Sequence, residues 1–104
     1  MFQTIKALLG INPVDYAELV RRGAIILDVR SREEYAVGHV AGAVNISVDT
    51  LSENLQKLRN KEVAVITCCE SGMRSARAKR ILDMNGYSNV HNAGSWRRLQ
   101  QKIS

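Results

Sequence analysis

Short apolar runs alternate with helical patterns along this chain, and the alternation limits the folds that it can adopt. The runs are Ala24 to Val29, broken only at Asp28, then Val44 to Ile46, Glu62 to Thr67 and Val90 to Asn92. Strands that alternate with helices form βα units, and right-handed crossovers between them give a parallel sheet with helices on both faces. We therefore predict an α/β fold in which ligands bind outside the carboxyl ends of the strands.

The predicted helices are marked by caps and by the spacing of apolar residues. Asn12 and Pro13 provide a cap and a first-turn proline for a helix over residues 13–22. Ser31 and Glu34 match a capping box, and Gly38 ends the short helix that follows. Three further helices are predicted from Leu51, Leu55 and Leu58, with Ser47 or Asp49 as the cap, from Ala78, Ile81 and Leu82, ending before Gly86, and from Trp96, Leu99 and Ile103.

Length and composition favour one domain over residues 1–104. A chain of 104 residues with 45% hydrophobic content is long enough for one core and too short for two. No apolar run approaches the roughly 20 residues of a membrane span, and Met1 to Gly10 lacks the apolar core and cleavage site of a signal peptide. Cys68 and Cys69 are neighbours and cannot join distant segments, so we expect both thiols to be reduced. Together these features predict a soluble, cytoplasmic protein without membrane contact.

Charge is distributed unevenly along the chain. Residues 1–70 carry 8 basic and 9 acidic side chains, whereas residues 71–104 carry 7 basic side chains and only Asp83 as an acid. A positive field in the second region would attract small anions or acidic partner proteins, although a solvated basic surface is the simpler alternative. Aromatic residues make up 5% of the chain and no nucleic-acid-binding signature is present, so we expect no nucleic-acid binding.

The segment from Cys69 to Ser75 places a thiol between the third predicted strand and the next helix. Backbone N–H groups in such a turn converge on one point, and the helix adds the positive end of its dipole, so an anion is stabilised there. A helix N-terminus beside an arginine, here Arg74, favours the reactive thiolate form of a cysteine. Cys69 is therefore the predicted nucleophile, and a buried, inert cysteine is the alternative.

Two separate motifs stand in a fixed order along the chain. The first combines Leu27-Asp28-Val29-Arg30, Glu34-Tyr35, Gly38-His39-Val40 and Gly42-Ala43-Val44-Asn45-Ile46, and the second is Cys69-x-Ser71-Gly72-x-Arg74-Ser75. Together they resemble the single-domain rhodaneses, or thiosulfate sulfurtransferases. The likeness runs from about Asn12 to Trp96, which is nearly the whole chain.

The resemblance implies the compact α/β rhodanese fold and sulfur transfer through a cysteine persulfide. It assigns Cys69 as the sulfur acceptor and gives Asp28 and Arg30 a mainly structural role. The loop that cradles the outer sulfur is then Glu70, Ser71, Gly72, Met73, Arg74 and Ser75, with Arg74 closing it. The chain departs from the family pattern at Ala93, where a glycine is common, at the early Trp96, and at Glu70, where many members have a basic or neutral residue. A carboxylate at Glu70 should weaken the binding of thiosulfate.

Cys68 offers a second reading of the same loop. Cys68 to Arg74 has the C-x-x-x-x-x-R spacing of cysteine-dependent phosphatases and of some arsenate reductases. Those phosphatase loops commonly have His before the cysteine, whereas Thr67 stands there in this chain. A ring that begins at Cys69 is one residue smaller and suits a single sulfur atom, so the sulfur reaction is favoured. Cys68 is otherwise expected to face the core, and a resolving thiol that attacks oxidised Cys69 is the alternative.

We therefore expect a sulfurtransferase that moves sulfane sulfur from thiosulfate or a persulfide donor to cyanide, a dithiol or a protein. Cys69 and Arg74 are the predicted catalytic residues, with Arg74 and the loop N–H groups holding the anion. The protein acceptor would be a sulfur carrier or a thioredoxin-like protein. A phosphatase or arsenate reductase using Cys68 and Arg74, and a non-catalytic module that binds an acidic partner, are the alternatives. No cofactor is expected, and no metal, because His39 and His91 lack further ligands at suitable spacing.

Two side-chain predictions complete the sequence reading. Arg30 and Glu34 stand four residues apart and are predicted to form a local ion pair. Trp96, the only tryptophan of the chain, is predicted to pack in the core.

Overall fold

Strands and helices alternate through residues 13–104, which are the residues that the computed structural model describes. In chain order they are α1 (Tyr16–Arg21), β1 (Ile25–Asp28), α2 (Arg32–Val37), β2 (Val44–Asn45), two 3₁₀ helices (Val48–Glu53 and Leu55–Lys57), β3 (Val65–Cys69), α3 (Met73–Met84), β4 (Val90–Ser95) and α4 (Trp96–Ile103). Neighbouring strands pair in parallel, in the order β2-β1-β3-β4. The predicted α/β fold with a small parallel sheet is confirmed.

Helices cover both faces of the sheet, because alternate residues of each strand point to opposite sides. On one face, α3 and the 3₁₀ helices pack against β1 and β3 through a cluster that includes Leu27, Leu51, Leu58, Val65, Ala78 and Leu82. On the other face, α1 and α4 pack through a cluster that includes Leu19, Ile26, Ile66, Leu99 and Ile103. Each fully buried leucine stabilises the fold by roughly 1.5–3 kcal/mol.

The start of α1 differs from the prediction. The helix begins at Tyr16 because the side chain of Asp15 caps it, accepting a hydrogen bond of 3.0 Å from the Glu18 N–H. It ends at Arg21, so it is shorter than the predicted helix over residues 13–22. Asn12, the predicted cap, and the segment Met1 to Gly10 lie outside the described residues.

Capping at the next two helices follows the prediction. The side chain of Ser31 accepts a hydrogen bond from the Glu34 N–H, and the Glu34 carboxylate accepts one from the Ser31 N–H. The predicted capping box is therefore confirmed. Helix α3 ends at Met84, and Gly86 follows with a φ of +86°, the left-handed conformation expected after a helix end.

The leucine pattern after β2 forms two short 3₁₀ helices instead of one α-helix. The first ends at Glu53, and the side chain of Asn54, its C-cap, donates a hydrogen bond of 2.8 Å to the Thr50 carbonyl. Such a local side-chain bond competes with the continuation of a helix. Leu51 and Leu58 are nevertheless both buried, so the apolar pattern marked the right core positions.

The central strand β3 extends closer to the thiol loop than predicted. It covers Val65–Cys69 instead of Glu62 to Thr67, and β4 extends to Ser95. Cys69 lies opposite Ser95 in the register, after an irregularity that begins at Thr67. Cys69 is consequently the last residue of a central parallel strand, at the edge of the sheet where ligands bind in such folds.

Within residues 13–104, no helix combines the length and the apolar character needed to cross a membrane.

Candidate active site at the carboxyl end of strand β3

The sulfur of Cys69 is enclosed by backbone donors. Its Sγ accepts hydrogen bonds from the Gly72 N–H at 2.9 Å and from the Ser75 N–H at 3.4 Å. The side chain is fully buried, and the positive end of the α3 dipole lies directly beyond the loop. The predicted convergence of N–H groups on the thiol is confirmed, and the same arrangement suits a thiolate or a persulfide anion.

Gly72 gives the loop its shape. Its φ is +106°, a left-handed backbone conformation that residues with a Cβ rarely adopt. A Cβ at this position would lie 3.3 Å from the Cα of Gly94 near the end of β4. Conformation and close packing therefore both require glycine, and they direct the Gly72 N–H towards Cys69.

Ser75 anchors the first turn of α3 by a buried hydrogen-bond network. Its Oγ lies 2.7 Å from Thr67 Oγ1 and 2.6 Å from Asn92 Oδ1. The Ser75 carbonyl accepts a further hydrogen bond of 3.2 Å from Thr67 Oγ1. These contacts tie α3 to β3 and β4, and they fix the Ser75 N–H that points at the sulfur.

Arg74 is paired with Glu34, a residue that was predicted to cap α2 and to pair with Arg30. Arg74 Nη1 and Nη2 donate to the two oxygens of Glu34 at 2.7 and 3.0 Å. This bidentate contact, joined by the cap to Ser31, lowers the pKa of Glu34 from its ordinary value of 4.5 to about 2. It also raises the pKa of Arg74. The pair fastens the thiol loop to α2.

The predicted ion pair between Arg30 and Glu34 is wrong. Arg30 instead binds Asp28, with Arg30 Nη2 at 2.7 Å from Asp28 Oδ2 and both side chains almost completely buried. The hydrogen bond to Asp28 raises the pKa of Arg30. Arg30 Nη2 also donates to the Gly38 carbonyl at 2.7 Å, so the pair connects β1 to the segment after α2. Asp28 and Arg30 therefore stabilise the segments next to the site, and neither makes a hydrogen bond to the Cys69 sulfur.

The outer side of the loop is formed by side chains from three parts of the chain. Glu70 accepts hydrogen bonds from Trp96 Nε1, at 3.3 Å, and from Arg97 Nη1, and it lies 3.9 Å from Arg30 Nη1. The guanidinium carbons of Arg30 and Arg97 lie 4.7 and 4.8 Å from the centre of the Trp96 ring, within the range of cation–π contacts. Trp96 is partly buried against the core, as predicted, but its N–H serves the site.

The remaining loop side chains face outwards. Ser71 is exposed, and Met73 is 81% exposed. Neither side chain shares the hydrogen bonds that surround Cys69, so the loop acts on the sulfur through its backbone. The site can therefore hold a sulfur anion. The side chains on its outer side can be replaced without changing the backbone contacts to the sulfur.

The comparison with known families agrees with this geometry. The rhodanese-like domain family matches residues 12–102 of the chain. The chain belongs to this family. The single-domain rhodanese resemblance that the two sequence motifs indicated is therefore confirmed, and the four-stranded sheet with its thiol loop is the rhodanese fold.

Two curated relatives of this rhodanese-like chain carry different names. The thiosulfate sulfurtransferase PspE of Escherichia coli K12 is 39% identical over 69 residues, which cover 65% of this chain and 66% of PspE. A tRNA uridine(34) hydroxylase of Buchnera aphidicola is 29% identical over 80 residues, which cover 70% of this chain and 25% of that protein. The chain thus spans just under two thirds of the first relative and a quarter of the second.

A solved structure gives the same fold. The human single-domain sulfurtransferase TSTD1 has a TM-score of 0.72 and 33% sequence identity, and the alignment covers 84% of this chain and 90% of TSTD1. The likeness therefore extends over most of both chains.

Within this rhodanese-like domain, Cys68 has a different environment from Cys69. Cys68 is fully buried in the cluster beneath α1 and α4, whereas Cys69 belongs to the cluster beneath α3. Burial raises the pKa of the Cys68 thiol to about 12, so the thiol is protonated at neutral pH. The N–H groups of Gly72 and Ser75 are directed at Cys69. The loop therefore does not surround Cys68 as a phosphatase loop would surround its catalytic cysteine.

The two histidines have local structural contacts. His39 stacks on the ring of Tyr35, with centroids 3.6 Å apart, and its Nδ1 lies 2.7 Å from the Tyr35 carbonyl. His91 Nε2 lies 2.7 Å from Asn89 Oδ1. Among residues 13–104, no three His, Cys, Asp or Glu side chains are grouped as metal ligands would be.

Proposed function

We propose that this rhodanese-like domain is a sulfurtransferase that carries sulfane sulfur as a persulfide on Cys69. The observation that supports this most is the pair of backbone N–H groups on Cys69 Sγ, at 2.9 and 3.4 Å. Donors at that point stabilise a sulfur anion before and after the sulfur is accepted. The names of PspE, a thiosulfate sulfurtransferase, and of TSTD1, a sulfurtransferase, agree with the proposal, although these activities belong to those proteins.

The reaction has two displacement steps. The Cys69 thiolate attacks the sulfane sulfur of thiosulfate, a sulfur–sulfur bond forms, and sulfite leaves with the electron pair of the broken bond. The outer sulfur of the resulting persulfide anion is then attacked by a nucleophile such as cyanide, which leaves as thiocyanate and restores the Cys69 thiolate. No proton or redox partner is needed in either step, so the loop requires no general base.

Each loop residue then has a defined part in the proposal. The N–H groups of Gly72 and Ser75 hold the sulfur anion, and Arg74 closes the loop through its contact with Glu34. Glu70, Ser71 and Met73 form the outer side, and Asp28 and Arg30 support the loop from β1.

Donor, acceptor and location are proposed at the same level. A small anionic donor such as thiosulfate, or a persulfide, fits the reaction, and a sulfur carrier or thioredoxin-like protein is a suitable acceptor. A single domain over residues 1–104 and a cytoplasmic location stay predictions from the sequence.

Thiocyanate formation from thiosulfate and cyanide tests the proposal. We expect Cys69→Ser to lower the rate by more than about a thousandfold, because the nucleophile is lost. Cys68→Ser is the matched control and should stay within about threefold of the unsubstituted protein, once circular dichroism has shown that both variants are folded. Full transfer by Cys69→Ser, or its loss only in Cys68→Ser, would overturn the proposal.

A further inference from the structure

The outer side of the thiol loop contains a cluster of donors that is suited to an anion. We call Arg30, Trp96 and Arg97 the anion cluster. It brings together two guanidinium groups and one indole N–H, and both guanidinium carbons lie within 4.8 Å of the Trp96 ring centre. Arg30 is only 3% exposed, and its position is fixed by Asp28 and the Gly38 carbonyl. The cluster is therefore partly preorganised before any ligand binds.

A carboxylate of the chain itself occupies this cluster. Glu70 Oε2 accepts from Trp96 Nε1 and lies 3.9 Å from Arg30 Nη1, and Glu70 Oε1 accepts from Arg97 Nη1. The Glu70 side chain is 46% exposed, so it can move into solvent without unfolding its surroundings. The cluster thus has the chemistry of an anion site with a tethered, displaceable occupant.

The occupied cluster lies next to the reacting sulfur. Glu70 follows Cys69 directly, and consecutive Cα atoms are ~3.8 Å apart. A donor that presents its sulfane sulfur to Cys69 must place its remaining atoms at the outer side of the loop. For thiosulfate, those atoms are an anionic sulfonate, which the same guanidinium and indole donors would bind.

We propose that Glu70 determines donor specificity by occupying the anion cluster in place of the sulfonate of a small divalent donor. Thiosulfate must displace Glu70 from Arg97 and Trp96, and it also approaches a negative charge. A persulfide donor carries a single charge at sulfur and needs no sulfonate site, so Glu70 opposes it less. This inference rests on the proposed sulfur transfer, of which it specifies the donor class.

Calorimetric titration of the Cys69→Ser protein with thiosulfate tests the inference without turnover. Adding Glu70→Gln keeps the shape of the side chain and removes its charge. We expect the dissociation constant for thiosulfate to fall by about fivefold, the size of effect expected for a favourable, partly exposed ion pair. Glu62→Gln makes the same charge change at the opposite end of β3 and should alter the constant by less than about twofold.

A double-mutant cycle separates the anion cluster from general repulsion. In the Glu70→Gln background, Arg97→Gln should weaken thiosulfate binding by about fivefold, whereas with Glu70 present it should have less than about half of that effect. Arg98→Gln, the exposed neighbour on α4, is the matched control and should have little effect in either background. Equal effects of Arg97→Gln in both backgrounds, or no tighter binding after Glu70→Gln, would overturn the inference. If the unsubstituted protein transferred no sulfur through Cys69, the proposed function would be overturned, whereas these binding constants would be unaffected.

Discussion

The thiol loop has an inner wall and an outer rim that are held in different ways. The inner wall, Gly72 and Ser75, contacts the Cys69 sulfur through backbone N–H groups and is fixed by buried contacts to β4. The outer rim, Glu70 with Arg97, is partly exposed and is held by side-chain contacts. Backbone contacts depend on the folded geometry, whereas rim contacts can change with one substitution. We therefore expect the inner wall to control stability and sulfur chemistry together, and the rim to control which donors bind.

The largest effect on stability is expected for Ser75→Ala in the inner wall. The substitution removes the two hydrogen bonds of the Ser75 hydroxyl, to Thr67 Oγ1 and to Asn92 Oδ1, which should lower the free energy of unfolding by about 2–3 kcal/mol in total. Urea unfolding measures this difference. Ser71→Ala, in the same loop but exposed, is the control and should change the free energy by less than about 0.5 kcal/mol. Equal effects of the two substitutions would remove the distinction between a buried wall and an exposed rim.

Gly72→Ala should be the next most damaging change. The loop requires a left-handed φ at this position, which costs alanine roughly 1–2 kcal/mol because of its Cβ, and the Cβ would also lie 3.3 Å from the Gly94 Cα. The matched control is Gly23→Ala, because Gly23 has a φ of +98° but has open space around its Cβ position. We expect both variants to be destabilised in urea unfolding, Gly72→Ala more so, and only Gly72→Ala to lose sulfur transfer. Normal transfer by Gly72→Ala would show that the inner wall does not set the chemistry.

Glu34→Gln should have a smaller, pH-dependent effect on stability. The pKa of Glu34 is lowered to about 2, so its ion pair with Arg74 stabilises the fold above the ordinary pKa of 4.5 and is lost as pH falls through about 2. Between pH 5 and 2, the unsubstituted protein should lose up to about 1 kcal/mol more than the variant, a small value because both side chains are more than one third exposed.

Unfolding free energies measured at several pH values test this effect. Glutamine retains the cap on Ser31, so the comparison isolates the charge of Glu34. Glu33→Gln, an exposed neighbour on α2, should keep the pH dependence of the unsubstituted protein. The same pH dependence in Glu34→Gln would contradict the contribution of the ion pair.

The smallest change in stability is expected for Glu70→Gln in the outer rim. Its contacts to Trp96 and Arg97 are partly exposed, so the free energy of unfolding should change by less than about 0.5 kcal/mol. Thermal and urea unfolding provide the measurement. A loss as large as that of Ser75→Ala would mean that the rim is part of the structural framework, and the comparison between wall and rim would fail.

Local sequence signals predicted the architecture and the position of the thiol. The alternation of apolar runs and helices gave the parallel sheet, and the capping box at Ser31 and the left-handed Gly86 marked helix boundaries. These features depend on residues close in the sequence, whose geometry follows from hydrogen bonding and backbone sterics. The same local pattern placed Cys69 between the third strand and the next helix, although the strand itself continues past Thr67 to Cys69.

Contacts between distant segments could not be predicted in the same way. Arg74 and Glu34 are separated by 40 positions. Arg30 lies nearer to Glu34 in the sequence, but it is buried and forms its ion pair with Asp28. The apolar spacing on α4 likewise predicts that Trp96 is buried, but it does not predict the hydrogen bond from the indole N–H to Glu70. Such pairings depend on which helix ends the sheet brings together. The presence of Glu34 in the first family motif and of Arg74 in the second is the sequence signal for their pairing.

In the proposed reaction, the backbone N–H groups around Cys69 hold the transferred sulfur. The most direct test incubates the reduced protein with thiosulfate and, in parallel, with a small thiol persulfide, removes the excess donor, and maps added sulfur by intact mass and peptide analysis. We expect one sulfur atom on Cys69 and none on Cys68, whose thiol has a pKa raised to about 12 by burial. Added sulfur on Cys68, or no added sulfur from either donor while Cys69 still reacts with an alkylating reagent, would overturn sulfur transfer through Cys69.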